Sequence, residues 1–308
     1  MNSNMALFGA RKLGAALVTL LLALTAAFAL GHLSGDPVYN ILGPLAEREQ
    51  ITQMQQELGL DKPLVEQYTT YLGDTVRGEL GDSLQYFRSN SELIRSRLPQ
   101  SLQLLGVAML LAILIGVPLG TLAAVKEGTW WDRAASTVAL LGQSVPVFWL
   151  GLMLILIFAV RLRLLPSGQS GGIDHLVLPA ITLSLLPLAH IARLTRASMA
   201  EVLAEPYIDA ARARGLSARR VVGWHALRNA ALPVLTVTAL QTGVLLSGAV
   251  AVEYVYSWPG LGTLALEAVQ FRDFTLAQAV VIVGAVTFVL LNLLVDLLYV
   301  VVDPRLRT

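Results

Sequence analysis

The chain has 308 residues, of which 55% are hydrophobic and 14% are charged, and its formal net charge is +1 at pH 7. Because soluble chains carry about a quarter charged residues, this composition indicates a membrane protein. The basic residues form no long stripe beside aromatic side chains, which disfavours binding to nucleic acid. The absence of cysteine excludes disulfides and cysteine-ligated zinc or iron–sulfur centres.

Six apolar segments match the length that a helix needs to cross a hydrocarbon core of roughly 30 Å. The predicted spans are Leu13–Leu30, Leu102–Val125, Ala134–Val160, Ala180–Ala192, Ala231–Val252 and Leu276–Val302. The fourth segment is short, so it spans only if its helix tolerates Pro187 and continues through His190 and Arg193 toward Met199. The sequence therefore predicts an all-α polytopic membrane protein with six transmembrane helices.

The first apolar segment has a second interpretation as a cleaved secretory signal. Arg11 and Lys12 precede it, and Ala27-Phe28-Ala29 lies near its end. Its apolar run of about 18 residues is longer than the roughly 7–15 residues of a signal peptide. We therefore interpret residues 1–32 as a retained first transmembrane helix and residues 100–302 as the transmembrane core.

The distribution of Lys and Arg predicts that both termini are cytoplasmic, with residues 303–308 forming a cytoplasmic tail. In this orientation the inner segments carry Arg11, Lys12, Lys126, Arg133, Arg193, Arg196, Arg212, Arg214, Arg219, Arg220, Arg228, Arg305 and Arg307. The short outer loops carry Arg161, Arg163 and Arg272. The inner excess of positive charge favours this orientation in the cell membrane.

Residues 33–99 are the long outer segment and predict a small extracytoplasmic insertion. Turn signals occur at Gly35-Asp36-Pro37 and at Gly78 to Gly81. The polar stretches Glu47–Leu58 and Pro63–Leu72 carry apolar residues at helical intervals, so we expect surface helices there. A loosely ordered loop is the alternative.

The inner loop of residues 200–229 predicts two short helices rather than a simple connection. Pro206 suits the first turn of one helix, and Gly215 suits its C-terminal cap. Ser217 suits the N-cap of a second helix that is predicted to end near Asn229, before Leu232-Pro233. Retention by positive charge explains the arginines alone, whereas docking of a soluble partner explains the whole loop. The small residues that would let a partner approach closely are Ala210, Ala211 and Ala213.

The loop resembles the EAA motif of ABC importer permeases, with Asp209-Ala210-Ala211, then Gly215 and later Leu232-Pro233. Other segments resemble the dipeptide and oligopeptide permease family, whose relatives import nickel or glutathione. These segments are Gly35-Asp36-Pro37, Leu58–Pro63, Leu98-Pro99, Pro146–Gly151, Leu165–Gly168, Tyr207–Ser217, His225–Asn229, Glu253–Gly262 and Asp303–Arg305. Asp209 departs from the motif, which has Glu there, and the gap between Gly215 and Leu232 exceeds the generic spacing.

This resemblance implies a type I ABC importer permease fold that carries dipeptides or oligopeptides into the cell by alternating access driven by partner ATPases. Import of nickel or of glutathione is the alternative that it leaves open. Its implied partners are a second homologous permease subunit, one or two cytoplasmic ABC ATPase subunits and an extracytoplasmic substrate-binding protein. The implied ATPase-coupling residues are Glu205, Asp209, Ala210, Ala211, Arg212, Arg214, Gly215, Leu232 and Pro233. ATP and Mg would bind to the ATPase subunits, and this chain is expected to bind no cofactor and no metal.

The chain contains no P-loop, because its lysines, Lys12, Lys62 and Lys126, lack the preceding Gly and the following Ser or Thr. It is therefore expected to be neither the ATPase nor another enzyme. An ion-coupled secondary transporter is the alternative class, and it would need acidic or histidine relays within its spans. Asp296 is expected to have a structural role near the inner interface. His190 is expected to be a helix-end hydrogen-bonding group, although a nickel pathway would give it another role.

Uncharged polar residues in the predicted spans have two interpretations: they line a pathway for peptide backbone groups, or they bridge neighbouring helices. These residues are Gln143, Ser144, Gln241, Thr242 and Ser247. The small residues Gly116 and Gly120 predict a close helix-packing site. The segment Tyr254–Gly260 combines interfacial aromatics with a turn, and by resemblance Leu261–Phe271 is a short re-entrant helix at an outer gate.

Overall fold

The structure is a computed structural model, and it describes residues 2–33, 38, 47–57 and 59–302. In this part of the chain the regular secondary structure is helical, apart from an isolated bridge between Asp82 and Ser89. The helices, in chain order, are α1 (Asn2–Leu33), α2 (Arg48–Glu57), α3 (Leu64–Arg77), α4 (Asn90–Val125), α5 (Trp130–Ser144), α6 (Val147–Arg161), α7 (Ile173–Leu203), α8 (Pro206–Ala213), α9 (Ala218–Val255), α10 (Leu261–Gln270) and α11 (Phe274–Val302).

Helices α1, α4, α7, α9 and α11 are each long and apolar enough to cross a membrane. The bent pair α5–α6 provides a sixth span when its two halves are counted together. The predicted polytopic helical fold is thereby confirmed. The fourth span is longer than its apolar core, because α7 continues through Pro179, Pro187 and His190 to Leu203. Prolines are accommodated within membrane helices when neighbouring groups satisfy the backbone, so the expected continuation past Pro187 is confirmed.

The third span is not the continuous helix that we predicted over Ala134–Val160. Helix α5 ends at Ser144, α6 begins at Val147, and the two are bent by 105°. Pro146 explains the break because it lacks a backbone N–H and because it disfavours helical conformation in the residue before it. Val145 accordingly has extended backbone angles, with φ −84° and ψ 124°.

The helix that follows Ser217 does not end near Asn229, and this prediction was wrong. Helix α9 runs without interruption from Ala218 to Val255 and includes a π-helical segment, Val221–Ala226. Pro233 lies inside α9 rather than after its end. A proline removes one intrahelical hydrogen bond, and a long apolar helix tolerates that loss where its packing is otherwise maintained.

The chain divides into two compact units, and the larger comprises Ser101–Pro259 with residues 291–302. In this unit α7 packs against α9 and against α5. Helix α4 also approaches α7 closely: a Cβ at Gly116 would lie 3.0 Å from the carbonyl oxygen of Leu188, and one at Gly120 would overlap the carbonyl oxygen of Ala192. The predicted close-packing role of these glycines is confirmed.

The second unit comprises Asn2–Gln100 and Gly260–Leu290. Helices α2 and α3 occupy the two polar stretches that were expected to be helical. Phe28 of α1 packs against Tyr68 and Tyr71 of α3, and the hydroxyls of Thr25 and Tyr68 lie 2.7 Å apart. The apolar core of this unit is formed by Leu93, Ile94, Leu261, Leu264, Ala268, Leu276, Ala279 and Val280. The predicted turn at Gly35-Asp36-Pro37 lies outside the described residues.

Candidate functional site

Helix α8 is a short amphipathic helix between the long helices α7 and α9. Pro206 occupies its first turn, as predicted, where a missing backbone N–H costs nothing. Ile208 and Ala211 lie three residues apart on one face and are buried. They belong to an apolar cluster with Met199 of α7 and Val221 of α9, together with further small residues. This packing attaches α8 firmly to both of its neighbouring helices.

The opposite face of α8 is exposed, and it carries most of the predicted coupling residues. The exposed coupling candidates and alanines on α8 and at its two caps are Glu205, Asp209, Ala210, Arg212, Ala213 and Arg214. Arg212 Nη1 lies 3.2 Å from Asp209 Oδ1, which pairs two of these charges on the surface. The prediction that Ala211 belongs to a partner-facing alanine surface was wrong, because its small side chain packs into the chain's own core. Ala210 and Ala213 remain exposed.

Gly215 ends α8 with a left-handed backbone, as predicted. Its φ is +78°, and its N–H donates to the carbonyl oxygen of Arg212 at 2.9 Å. Apart from Gly215 and its two chain neighbours, no residue has an atom within 4 Å of the place where a Cβ would stand. Glycine is therefore required here for its backbone conformation rather than for space.

The start of α9 differs from the predicted capping arrangement. Ser217 occupies the N-cap position, yet its side chain makes no capping hydrogen bond, and its backbone carbonyl accepts from the N–H of Arg220 instead. Asn229 was not predicted as a contact of α8, but its Nδ2 donates to the Tyr207 hydroxyl at 2.6 Å. Leu232 and Pro233 lie further along α9 and do not belong to the cluster that holds Ile208 and Ala211.

An ion pair that the sequence did not reveal joins α5 to α7. Arg196 Nε donates to Asp132 Oδ1 at 2.5 Å, and Arg196 Nη2 donates to Oδ2 at 2.9 Å. The backbone N–H of Gly128 also donates to Asp132 Oδ2, at 3.1 Å. Asp132 is buried, so this two-pronged pair is a stronger link than an exposed surface pair. Arg196 lies on the same helix that leads directly into α8.

The five candidate pathway residues separate into two groups. Gln143 lines a cavity of about 260 Å³ with Ser136, Arg193 and Arg196, and its buried Nε2 has no hydrogen-bond partner. Gln241 is buried in α9, and its Oε1 also lacks a partner. The hydroxyls of the other three donate to carbonyls of their own helices: Ser144 to Leu140, Thr242 to Thr238, and Ser247 to Val244. Of the five residues, Gln143 lines this cavity.

Ionisable groups in the spans include one that we had not predicted. Glu253 of α9 is buried and accepts a hydrogen bond of 2.5 Å from the Ser101 hydroxyl. His190 Nδ1 donates to the carbonyl oxygen of Leu186 at 3.0 Å, so its hydrogen-bonding role is confirmed, although it lies within α7 rather than at its end. The side chain of Asp296 lies outside the described residues. The described residues contain no group of three or more His, Asp or Glu side chains arranged for a metal ion.

Two family models match this chain. Residues 116–308 match "Binding-protein-dependent transport system inner membrane component", and residues 5–104 match "Binding-prot-dependent transport system membrane comp, N-term". The chain therefore belongs to the family of inner membrane components of binding-protein-dependent transport systems. It is a multi-pass membrane permease.

Among curated relatives, the dipeptide transport system permease protein DppB of Escherichia coli (strain K12) is 41% identical, over 96% of this chain and 97% of that protein. The glutathione transport system permease protein GsiC of Escherichia coli (strain K12) is 42% identical, over 89% of this chain and 90% of that protein. A solved structure of the MetNI methionine ABC transporter in an inward-facing conformation shares the fold. It has a TM-score of 0.59 at 19% identity, over 68% of this chain and 96% of that one.

Proposed function

We propose that this chain is the permease subunit of an ATP-driven importer that carries dipeptides or oligopeptides into the cell by alternating access. The observation that carries the proposal is the similarity to a dipeptide permease along nearly the whole chain. The chain makes and breaks no covalent bond in this role. Its part is to provide one wall of a pathway and to change conformation when its partners hydrolyse ATP.

The exposed face of α8 is the proposed contact with a cytoplasmic ATPase subunit. Ile208 and Ala211 anchor α8 to α7 and α9, so a force applied to its outer face reaches two long helices directly. Glu205, Asp209, Arg212 and Arg214 would set the register of this contact by charge. We propose accordingly that both termini lie in the cytoplasm, and the excess of basic residues in the predicted inner loops supports this orientation.

The remaining proposed partners are a second, homologous permease and an extracytoplasmic substrate-binding protein. The family description itself names dependence on a binding protein. Glutathione is a second candidate substrate, favoured by the 42% identity to a glutathione permease. The spans carry few fixed charges, so we propose that the binding protein, rather than this chain, sets most of the choice between these substrates.

Transport by the purified complex in proteoliposomes tests the proposal. With binding protein outside and ATP within reach of the ATPases, labelled dipeptide, longer peptide and glutathione are offered separately. We expect ATP-dependent accumulation of at least one peptide. Uptake that follows a proton or sodium gradient without ATP would contradict the proposal, and accumulation of glutathione alone would establish the second candidate.

A further inference from the structure

The loop of residues 82–89, between α3 and α4, presents an aromatic ring to solvent. Phe87 lies at its tip, and 89% of its surface is exposed. Its φ is +51°, a left-handed conformation that is uncommon for a bulky residue. Large apolar side chains are usually buried, and unusual backbone conformations persist only where the surrounding structure holds them. A loop that holds a phenylalanine in this way requires an explanation.

Hydrogen bonds within the loop fix its shape. Asp82 and Ser89 form an isolated bridge that closes its base. The N–H of Ser83 donates to the carbonyl oxygen of Arg88 at 2.9 Å, and the N–H of Phe87 donates to the carbonyl oxygen of Ser83 at 3.1 Å. The Ser83 hydroxyl also accepts from the N–H of Tyr86 at 3.0 Å. The backbone on both sides of Phe87 is therefore constrained.

A buried carboxylate at the start of α11 holds the loop from below. Asp273 accepts from the Ser83 hydroxyl at 2.5 Å and from the N–H of Gln85 at 3.1 Å, and it also caps α11 through the N–H of Leu276 at 3.1 Å. The Tyr86 hydroxyl donates to Glu267 Oε2 at 2.7 Å. Burial, and then this hydrogen bond, raise the pKa of Tyr86 to about 12, so the hydroxyl remains a donor at physiological pH.

The loop lies before the start of α4, away from the part of that helix that crosses the hydrocarbon core. Arg97 is the last charged residue of α4, which has none from there to its end at Val125. The hydrocarbon core must lie within that uncharged stretch. The helix begins at Asn90, which lies about 10 Å along the helix from Arg97, on the side away from the uncharged stretch. The loop comes before Asn90. Phe87 is thus presented to water and to proteins rather than to the bilayer.

The surroundings of Phe87 match a transient protein contact better than a permanent one. Its exposed neighbours are Gln85, Arg88 and Ser89, so the ring is a single apolar anchor with a polar rim. Such anchors dominate the binding energy of reversible interfaces, whereas permanent subunit contacts have broad apolar surfaces. A rigid loop also binds at a lower entropic cost, since it is ordered before the partner arrives.

We propose that the 82–89 loop is a docking element for the extracytoplasmic substrate-binding protein, with the Phe87 ring inserted into an apolar pocket of that protein. This inference rests on the proposed function, which places residues 33–99 outside the cell. Arg88, beside the ring, contributes an electrostatic contact at the rim.

Binding to the complete transporter complex in nanodiscs tests the inference, with the system's own substrate-loaded binding protein as the probe. Phe87→Ala removes the ring, and Phe87→Asn removes it while retaining a residue type that accepts left-handed backbone. Both variants should raise the Kd by about tenfold or more. Phe87→Tyr should restore most of the affinity. Val76→Asn is the matched control. Val76 lies in α3 and is 85% exposed, and its substitution should leave the Kd unchanged.

The outcomes are distinguishable. Basal ATP hydrolysis and the amount of complex in the membrane should be unchanged in every variant. An unchanged Kd in both Phe87→Ala and Phe87→Asn would overturn the inference, and so would loss of the second permease subunit during purification, which would make the loop a subunit contact. If the wild-type complex neither binds the probe nor responds to it, the proposed function fails instead.

Discussion

Gly215 has a left-handed backbone conformation, and the space around the position of its missing Cβ is open. The space where its Cβ would stand is open, so a substitution acts through φ and not through a clash. A non-glycine residue in this conformation costs about 1–2 kcal/mol, and a β-branched one costs more. That strain falls on the turn that directs α8, which lies outside the apolar spans.

We predict that Gly215→Val reaches the membrane in near-normal amount but loses transport and loses stimulation of ATP hydrolysis by the loaded binding protein. Gly215→Ala should be milder, and Gly215→Asn should be close to wild type because Asn accepts left-handed backbone. Arg48→Ala, in α2, is the control and should leave coupling intact. Full transport by Gly215→Val would contradict the prediction, and its disappearance from the membrane would make the residue structural.

The stability that the ion pair between Asp132 and Arg196 contributes depends on how deeply the pair is buried. Asp132→Asn removes the charge from a pair in which the arginine side chain is 34% exposed, so we expect a loss of about 1–3 kcal/mol, below that of a fully buried pair. The thermal unfolding midpoint of the purified complex should fall accordingly. Asp209→Asn breaks an exposed pair on α8 and should change the midpoint little. Equal effects of the two substitutions would show that the link between α5 and α7 adds no stability.

At the level of elements, apolar length predicted where each membrane helix lies, because the bilayer imposes that length on any sequence. It did not predict which helices bend. Pro146 separates α5 from α6, whereas Pro187 and Pro233 lie inside unbroken helices. The residue type is the same in all three places, and the outcome depends on how neighbouring groups satisfy the backbone, which is a tertiary property.

The candidate site shows the same division between local and tertiary information. Pro206 and Gly215 bound α8 by backbone rules that operate within a few residues, and both predictions are confirmed. The burial of Ala211 and the pairing of Asp132 with Arg196 depend on residues far apart in the chain. No pattern within a few residues predicts such contacts, so they could not be inferred from one sequence.

The contact between α4 and α7 provides a test at this scale. Gly120→Val should prevent the two helices from approaching, because even a Cβ there would overlap the backbone of Ala192. We expect a severe loss of the protein from the membrane, measured by immunoblot. Gly106→Val, in the same helix, places its Cβ where no atom outside the helix's own nearby backbone lies within 4 Å, and this variant should accumulate normally. Equal accumulation of both variants would contradict the close packing.

For the whole molecule, the proposed orientation is testable because the chain has no cysteine of its own. Single cysteines at the exposed positions Ser91, Glu127 and Ser217 probe three loops. Glu127 is chosen over its neighbour Gly128 because the φ of Gly128 is +75°, a backbone conformation that a cysteine would strain. In intact cells an impermeant thiol reagent should label Ser91→Cys alone, while all three should react after lysis. Labelling of Ser217→Cys from outside would contradict the orientation.

The unbroken course of α9 has a mechanical consequence. Its 38 residues begin three residues after Gly215 and amount to a rod of about 57 Å, longer than the hydrocarbon core is thick. If α9 pivots at the end beside α8, a tilt of only about 5° moves its far end by about 5 Å. A small displacement of α8 would in this way be amplified at the far side of the membrane by leverage, without any helix unwinding.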